Sequence, residues 1–236
     1  MRGAAQLAAV LCSAAALAGA ARADIVSAHY TEPTTRYAHG VLGDAVEWGA
    51  LELTSRDGDA SVRSTLLLPE SRVFEDTAPR LVDVDGDGDV EVIVVETDVS
   101  LGAQLAIYDE TGKIAATPHI GRANRWLAPS GAGDMDGDGF VEIAYVDRPH
   151  LARELKILRF RNGKLEPVAT VTGVTNHRIG DPEIAGGLRT CGARPELVLL
   201  DSGWRNIVLV HLEGGRPVAT ALNHGPSQMD AVLACR

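Results

Sequence analysis

Residues 81–97, which read LVDVDGDGDVEVIVVET, and residues 132–147, which read AGDMDGDGFVEIAYVD, are two copies of one acidic segment. Four acids recur with the same spacing and at one constant offset: Asp83, Asp85, Asp87 and Glu91 in the first copy, and Asp134, Asp136, Asp138 and Glu142 in the second. A segment that repeats in this way indicates duplication of a whole structural unit.

A third copy lacks the acids of the loop. Residues 187–201, GLRTCGARPELVLLD, align without gaps so that Glu196 falls under Glu142. Leu188, Thr190 and Gly192 replace the three aspartates. The third copy therefore predicts the same backbone unit without its metal chemistry.

The residues after each acidic loop are typical of a strand. Residues 90–95 and 141–146 are short, rich in β-branched side chains and almost continuously apolar, as in a strand buried on both faces. Turn residues separate further strands at 109–112, 161–163 and 213–215. Each unit thus contains three or four antiparallel strands in about 50 residues, which is the length of a propeller blade.

The predicted fold class is therefore all-β, a β-propeller-like array of antiparallel blades. Residues 46–68 form a shorter first unit without acidic ligands. Residues 230–235 are predicted as the innermost strand of a last blade, which residues 24–29 complete from the other end of the chain. This closure predicts five blades, with four as the alternative.

The first 23 residues have the pattern of a secretory signal peptide. Arg2 precedes an apolar stretch that ends in Ala21-Arg22-Ala23, an A-x-A cleavage signal. We expect cleavage before Asp24, a mature domain of residues 24–236 without a membrane span, and a secreted or periplasmic location. An uncleaved membrane anchor is the alternative.

Two cysteines lie in this mature domain. An oxidising compartment favours a disulfide between Cys191 and Cys235 over a metal site or a nucleophile.

The composition excludes some classes of partner. The chain has 22 Lys and Arg against 32 Asp and Glu, for a formal net charge of -10, which argues against nucleic-acid binding. Aromatic residues make up only 4%, too few for an extensive base-stacking platform or sugar cleft. A bound metal cation suits this charge balance.

The acidic loops have the ligands of a hard divalent cation. Carboxylates at positions 1, 3, 5 and 9 would supply oxygen ligands, and position 7 would offer its backbone carbonyl, from Asp89 or Phe140. Ca²⁺ is favoured over Mg²⁺, which requires small octahedral geometry, so the sequence predicts two calcium sites. Two ion-free polar turns are the alternative. An EF-hand is excluded because Val94 and Tyr145 stand at position 12, where glutamate is required.

These loops, each running into an apolar strand, resemble the FG-GAP/VCBS repeat family over most of residues 74–222. The resemblance implies an integrin-α-like β-propeller with Ca²⁺ in the loops. Two departures are visible: glutamate stands at position 9, where aspartate is more usual, and no literal FG-GAP tetrapeptide occurs.

Polar residues recur where one unit passes to the next. In a closed propeller these junctions would converge into a pocket. The alternative is that these side chains only cap loops and strand ends. The candidate ligand-pocket residues are His39, Asn124, Arg125, His177, Arg178 and His224.

No catalytic motif is recognisable, so we expect a non-enzymatic binding module with structural Ca²⁺. G-x-S-x-G, H-E-x-x-H and P-loop patterns are all absent. The alternatives are a hydrolase or lyase with a site in the axial pocket, and a cell-surface adhesion module that binds a protein or glycan partner.

Overall fold

The computed structural model describes residues 24–236. The predicted signal peptide, residues 1–23, lies outside the described residues. The described part is all-β except near the C-terminus, and its strands form three antiparallel sheets of eight, four and five strands. None of its helices is long and apolar enough to cross a membrane.

The eight-stranded sheet contains the first acidic loop. Its path runs β1-β2-β4-β6-β7-β8, with β3 on β2 and β5 on β6. The first acidic loop connects the short strand β5 to β6. The strands are β1 (Asp24–Thr34), β2 (Glu47–Asp57), β3 (Ala60–Leu67), β4 (Arg72–Phe74), β5 (Arg80–Val82), β6 (Glu91–Asp98), β7 (Gly102–Asp109) and β8 (Gly112–Ala116).

The four-stranded sheet contains the second acidic loop, which connects its first two strands. These strands are β9 (Leu127–Gly133), β10 (Glu142–Asp147), β11 (Glu154–Arg161) and β12 (Lys164–Thr172), in the spatial order β12-β11-β10-β9. Strand β10 therefore has a hydrogen-bonded neighbour on each side, which fixes the end of the acidic loop.

The five-stranded sheet contains the third copy of the repeat. Its path runs β13-β15-β16-β17, with β14 on β15. The strands are β13 (Val174–Thr175), β14 (Gly187–Thr190), β15 (Pro195–Asp201), β16 (Ile207–Glu213) and β17 (Arg216–Ala221).

The C-terminal prediction is wrong. Residues 230–235, predicted as a strand, lie mainly in a short helix, α1 (Met229–Leu233). Met229 and Val232, three residues apart, bury one face against Val198 and Leu209 of the third sheet, a spacing that suits a helix. Strand β1 pairs with β2 instead. The two termini therefore share no blade, and the count of five, which depended on that closure, is not confirmed.

The apolar strands after the loops are buried on both faces, as predicted. In β10, Ile143 packs into a core shared with the first sheet, whereas Ala144 and Val146 pack into a core shared with the third. Strand β6 behaves similarly: Ile93 faces the core shared with the second sheet, and Val94 faces a core within its own sheet. Each acidic loop is thus attached to a strand that packs into a core on both of its faces.

This packing predicts the cost of a core truncation. Leu105 of β7 is fully buried, so Leu105→Ala should lower the free energy of unfolding by about 2–5 kcal/mol. Leu67→Ala, at a side chain that is 73% exposed, should change it by less than about 0.5 kcal/mol. Denaturant unfolding measures both variants, and equal losses would contradict the assignment of this core.

Candidate functional site

The first aspartate organises each acidic loop. Asp83 Oδ1 accepts a hydrogen bond from the Gly86 N–H at 2.7 Å, and Oδ2 accepts one from the Gly88 N–H at 3.1 Å. The two glycines have φ angles of 78° and 96°, a region that favours glycine, so the chain can fold back around the carboxylate.

The second loop repeats this arrangement. Asp134 Oδ1 accepts from the Gly137 N–H at 2.7 Å, and Oδ2 accepts from the Gly139 N–H at 3.0 Å. The two glycines again have positive φ angles, 80° and 87°. The duplication seen in the sequence is therefore a duplication of loop geometry.

The glutamate closes each loop. Glu91 is the first residue of β6, and its Oε2 accepts from the Val84 N–H at 2.9 Å. Glu142 is the first residue of β10, and its Oε2 accepts from the Met135 N–H at 2.8 Å. Both glutamates are buried. The start of each loop is thus tied to the strand that follows it.

Each loop gathers three carboxylates. One oxygen from each of Asp83, Asp85 and Glu91 lies within 4.8 Å of the others, and Asp134, Asp136 and Glu142 form an equivalent group. Burial, together with the neighbouring aspartates, raises the pKa of Glu91 to about 7. The two acidic clusters could therefore each hold a metal ion, which would relieve their mutual repulsion.

The donor atoms fit a hard cation. All six clustered groups are carboxylates, the ligands that Ca²⁺ and Mg²⁺ prefer. In the second loop, Asp136 Oδ1 is buried without a hydrogen-bond partner, as expected of an oxygen that would face a cation.

The remaining predicted ligands lie outside these groups of three. Asp87 Oδ1 accepts from the Asp89 N–H at 2.9 Å, and Asp138 Oδ1 accepts from the Phe140 N–H at 3.0 Å. These two aspartates brace the second half of each loop. Ligation by them, and by the carbonyls of Asp89 and Phe140, stays a prediction.

A separate pocket of about 340 Å³ lies where connecting segments meet. Its residues come from the segments between β1 and β2, β8 and β9, β10 and β11, and β13 and β14. The lining is formed by His39, Asn124, Arg125, Trp126, Arg148, His150, Leu151 and Ile179. The structure thus brings together three residues that the sequence analysis nominated for a ligand pocket: His39, Asn124 and Arg125.

The other three nominated residues are placed differently. His177 is buried against Trp126, with 4.8 Å between ring centroids. The Arg178 guanidinium lies over the Trp204 ring at 4.2 Å, and the His224 carbonyl accepts from the Ile207 N–H. His177, Arg178 and His224 are thus not among the residues that line the pocket.

His150 also lines the pocket and was not predicted from the sequence. His177 Nε2 donates to the Asp181 carbonyl at 2.9 Å, so its Nδ1 accepts from His150 Nε2 at 3.0 Å when both rings are neutral. Burial, aided by His177, lowers the pKa of His150 to about 4. His150 follows Pro149 in a connecting turn, and no spacing in the sequence marks it.

His39 has a buried carboxylate partner. Its Nδ1 lies 2.5 Å from Glu75 Oε1, and Thr97 donates to the other oxygen, Oε2, at 2.7 Å. The Trp126 indole N–H donates to the Glu75 carbonyl at 2.7 Å. Glu75 therefore orients two of the residues that line the pocket.

Residues 83–145 match a family model described as an FG-GAP-like repeat. This chain carries an FG-GAP-like repeat. The match begins at Asp83 and ends at Tyr145, within β10, so both acidic loops lie inside the matched region. No match was found among curated protein sequences.

Two solved structures resemble the chain over part of its length. One is an exotype rhamnogalacturonan lyase, YesX, at 16% identity and a TM-score of 0.41, covering 72% of this chain and 40% of that one. The other is the rhamnogalacturonan lyase PL11 of Bacillus licheniformis, at 14% identity and a TM-score of 0.41, covering 73% and 41%. The chain therefore spans about two fifths of the length of these structures.

The third copy shows what replaces the acidic loop when the acids are lost. Glu196, which corresponds to Glu142 of the FG-GAP-like repeat, accepts from Arg189 Nη2 at 2.8 Å. The turn that follows β14 begins at Cys191, which forms the predicted disulfide with Cys235. Ion pairing and a covalent link therefore hold this turn in place of a carboxylate cluster.

The buried carboxyl of Glu47 predicts a pH dependence of stability. Burial, with Glu75 and other acids nearby, raises its pKa from 4.5 to about 9. Between pH 4.5 and about pH 9, Glu47 stays protonated in the folded protein but is ionised in the unfolded chain. Folding must therefore take up a proton, and the contribution of Glu47 to the free energy of unfolding becomes more unfavourable as the pH rises. We expect Glu47→Gln to raise the melting temperature relative to wild type, by a margin that grows between pH 5 and pH 8.

The matched control is Glu52→Gln, on the same strand at a side chain only partly buried. Melting curves recorded from pH 5 to pH 8 compare the two variants with the wild type. A constant difference between Glu47→Gln and the wild type would contradict the assignment of a protonated buried carboxyl.

Proposed function

We propose that this protein is an exported calcium-binding module in which Ca²⁺ is structural, and that it acts by binding a protein or glycan partner without catalysis. The observation that carries the proposal is the pair of equivalent loops, each with three carboxylates whose oxygens lie within 4.8 Å of one another. The apolar segment with its A-x-A signal supports export.

The chemistry of the loops favours calcium. Asp83, Asp85 and Glu91 would hold one ion, and Asp134, Asp136 and Glu142 the other. Ca²⁺ accepts six to eight carboxylate and carbonyl oxygens in irregular geometry, whereas Mg²⁺ requires near-ideal octahedral geometry and dehydrates reluctantly. When bound, the ion supplies positive charge that neutralises the cluster.

A bound ion would stabilise more than the loop. Glu91 begins β6 and Glu142 begins β10, and both strands are buried. Each glutamate also accepts a hydrogen bond from the loop backbone. Metal binding would therefore couple directly to folding of the sheets, as expected for a structural site.

We further propose that the strand units are blades of a propeller-like array. The strands group as β1–β3, β4–β8, β9–β12 and β13–β17, each with at least one antiparallel hairpin. Because the termini share no blade, this grouping favours the alternative of four units.

Calcium should raise the stability of the protein. A ligand that binds only the folded state contributes about 2.7 kcal/mol at a concentration of 100 times its dissociation constant. We expect a higher melting temperature in excess Ca²⁺ than in excess chelator, and a smaller increase in Mg²⁺.

Two variants control this measurement. Asp83→Asn combined with Asp134→Asn should remove most of the calcium effect, because one carboxylate charge is lost from each cluster. Asp59→Asn, at an exposed acid in the turn between β2 and β3, should retain it. Identical wild-type melts in Ca²⁺ and chelator, with no binding heat, would refute the calcium proposal.

One observation favours a second candidate, a hydrolase or lyase in the pocket. The buried Glu75 carboxylate lies 2.5 Å from His39, an arrangement that positions a histidine for proton transfer. Arg125 in the lining would favour an anionic substrate, whereas the charge of Arg148 is already paired with Asp147. Polygalacturonate, a carboxylate-bearing polysaccharide, is a suitable probe.

The assay follows reducing-end release and formation of unsaturated product. Our first proposal predicts no turnover by the wild-type protein. Turnover that is lost in His39→Gln and kept in His29→Gln, at an exposed histidine of β1, would replace the first proposal with the second.

A further inference from the structure

An arginine enters the second acidic loop from the neighbouring strand. Arg159 lies on β11, directly opposite Glu142 in the β10–β11 ladder. Its Nε donates to Glu142 Oε1 at 2.6 Å, and its Nη1 lies 2.8 Å from Asp138 Oδ2. Its Nη2 donates to Asp136 Oδ2 at 3.2 Å. One guanidinium thus contacts three of the four acids of the loop.

Packing holds this guanidinium in place. Its carbon atom lies 5.5 Å from the centroid of the Phe140 ring, within cation–π range, and the side chain is only 17% exposed. Arg161 lies over the same ring at 4.9 Å but forms no salt bridge with the acids of the loop within residues 24–236. The contact with the carboxylates is specific to Arg159.

The first loop has an acid where the second has the arginine. The β6–β7 ladder pairs Val92 with Tyr108, and the β10–β11 ladder pairs Ile143 with Leu158. Extending the β6–β7 ladder by one residue places Asp109 opposite Glu91. At the same step of the β10–β11 ladder, Arg159 stands opposite Glu142. Asp109 also lines the same surface depression as Asp85 and Asp87. In the described part of the chain, no lysine or arginine forms a salt bridge with the four acids of the first loop.

We propose that Arg159 is a built-in counter-cation that makes the second loop the weaker calcium site, and that Ca²⁺ binds there only as the guanidinium withdraws. This inference rests on the proposed function. Asp136 Oδ2 and Glu142 Oε1 are occupied by the guanidinium, and a positive charge in hydrogen-bond contact opposes the entry of another cation. The buried and unpartnered Asp136 Oδ1 is the oxygen that retains affinity for the ion.

Calorimetric titration of the wild-type protein with CaCl₂ tests the inference. We expect two binding steps whose dissociation constants differ by about tenfold or more. A tenfold ratio corresponds to a difference of about 1.4 kcal/mol in binding free energy. Asp83→Asn should weaken the tighter step, which assigns it to the first loop. Arg159→Gln should tighten the weaker step by about tenfold. The matched control, Arg161→Gln, should leave both steps unchanged.

A measurement on the unaltered protein keeps the test independent of any folding defect in the variants. The Arg159 Nε–H resonance, assigned by comparison with Arg159→Lys, should shift during the weaker step and stay fixed during the tighter one. A resonance that shifts with the first equivalent of calcium, or in neither step, would overturn the inference.

The outcomes separate the two proposals. Two equally tight steps in the wild type, or a weaker step unchanged in Arg159→Gln, would overturn the role of Arg159 and leave the calcium sites standing. Absence of calcium binding in the wild type and in every variant would overturn the proposed function, and this inference with it.

Discussion

A hydrogen bond between a buried carboxylate and the start of its own loop is the contact on which each acidic turn depends. Glu91 and Glu142 are each the first residue of a buried strand, and each accepts a backbone N–H donated from seven residues earlier in the chain. Because this strand packs on both faces, the C-terminal end of the loop is held in position. The remaining carboxylates converge beside this end of the loop, and their mutual repulsion is the physical reason to propose a cation there.

The third copy keeps the strands of this unit although the three aspartates of the loop are replaced. In place of a carboxylate cluster, Glu196 is paired with Arg189, and the turn is linked to the C-terminal helix segment through Cys191 and Cys235. Arg159 in the second loop is an intermediate arrangement, in which the acids persist but a side-chain cation already contacts them. The acids of the second and third copies are thus paired with arginine side chains of the protein itself. On the proposed function, this pairing lowers the need for a bound cation, although the strands of the unit are retained.

Much of this organisation could be predicted from the sequence, because it repeats. The duplicated acids, the buried strands β6 and β10 and the hairpins follow from local patterns that two or three copies reinforce. The disulfide is predicted separately, from the two cysteines of the mature domain and an oxidising compartment. The C-terminal helix could not be separated from a strand, since only Met229 and Val232 carry its apolar face. Arg159 and His150 also escaped the sequence analysis. Their contacts cross between strands or turns, over separations of 17 and 27 residues, and no spacing along the chain reveals such contacts.

The pocket and the acidic loops are held by the same sheets but differ in the types of side chain that they present. Histidines, arginines and a buried glutamate meet at the connecting segments, whereas the loops present only carboxylates. We propose that each carboxylate group of the loops is a calcium site anchored to a buried strand. A crystal structure determined in excess CaCl₂, with anomalous scattering used to locate the ion, is the decisive experiment. We expect an ion at the first loop bound by Asp83, Asp85 and Glu91, and a first loop that holds no ion at saturating calcium would refute the proposal.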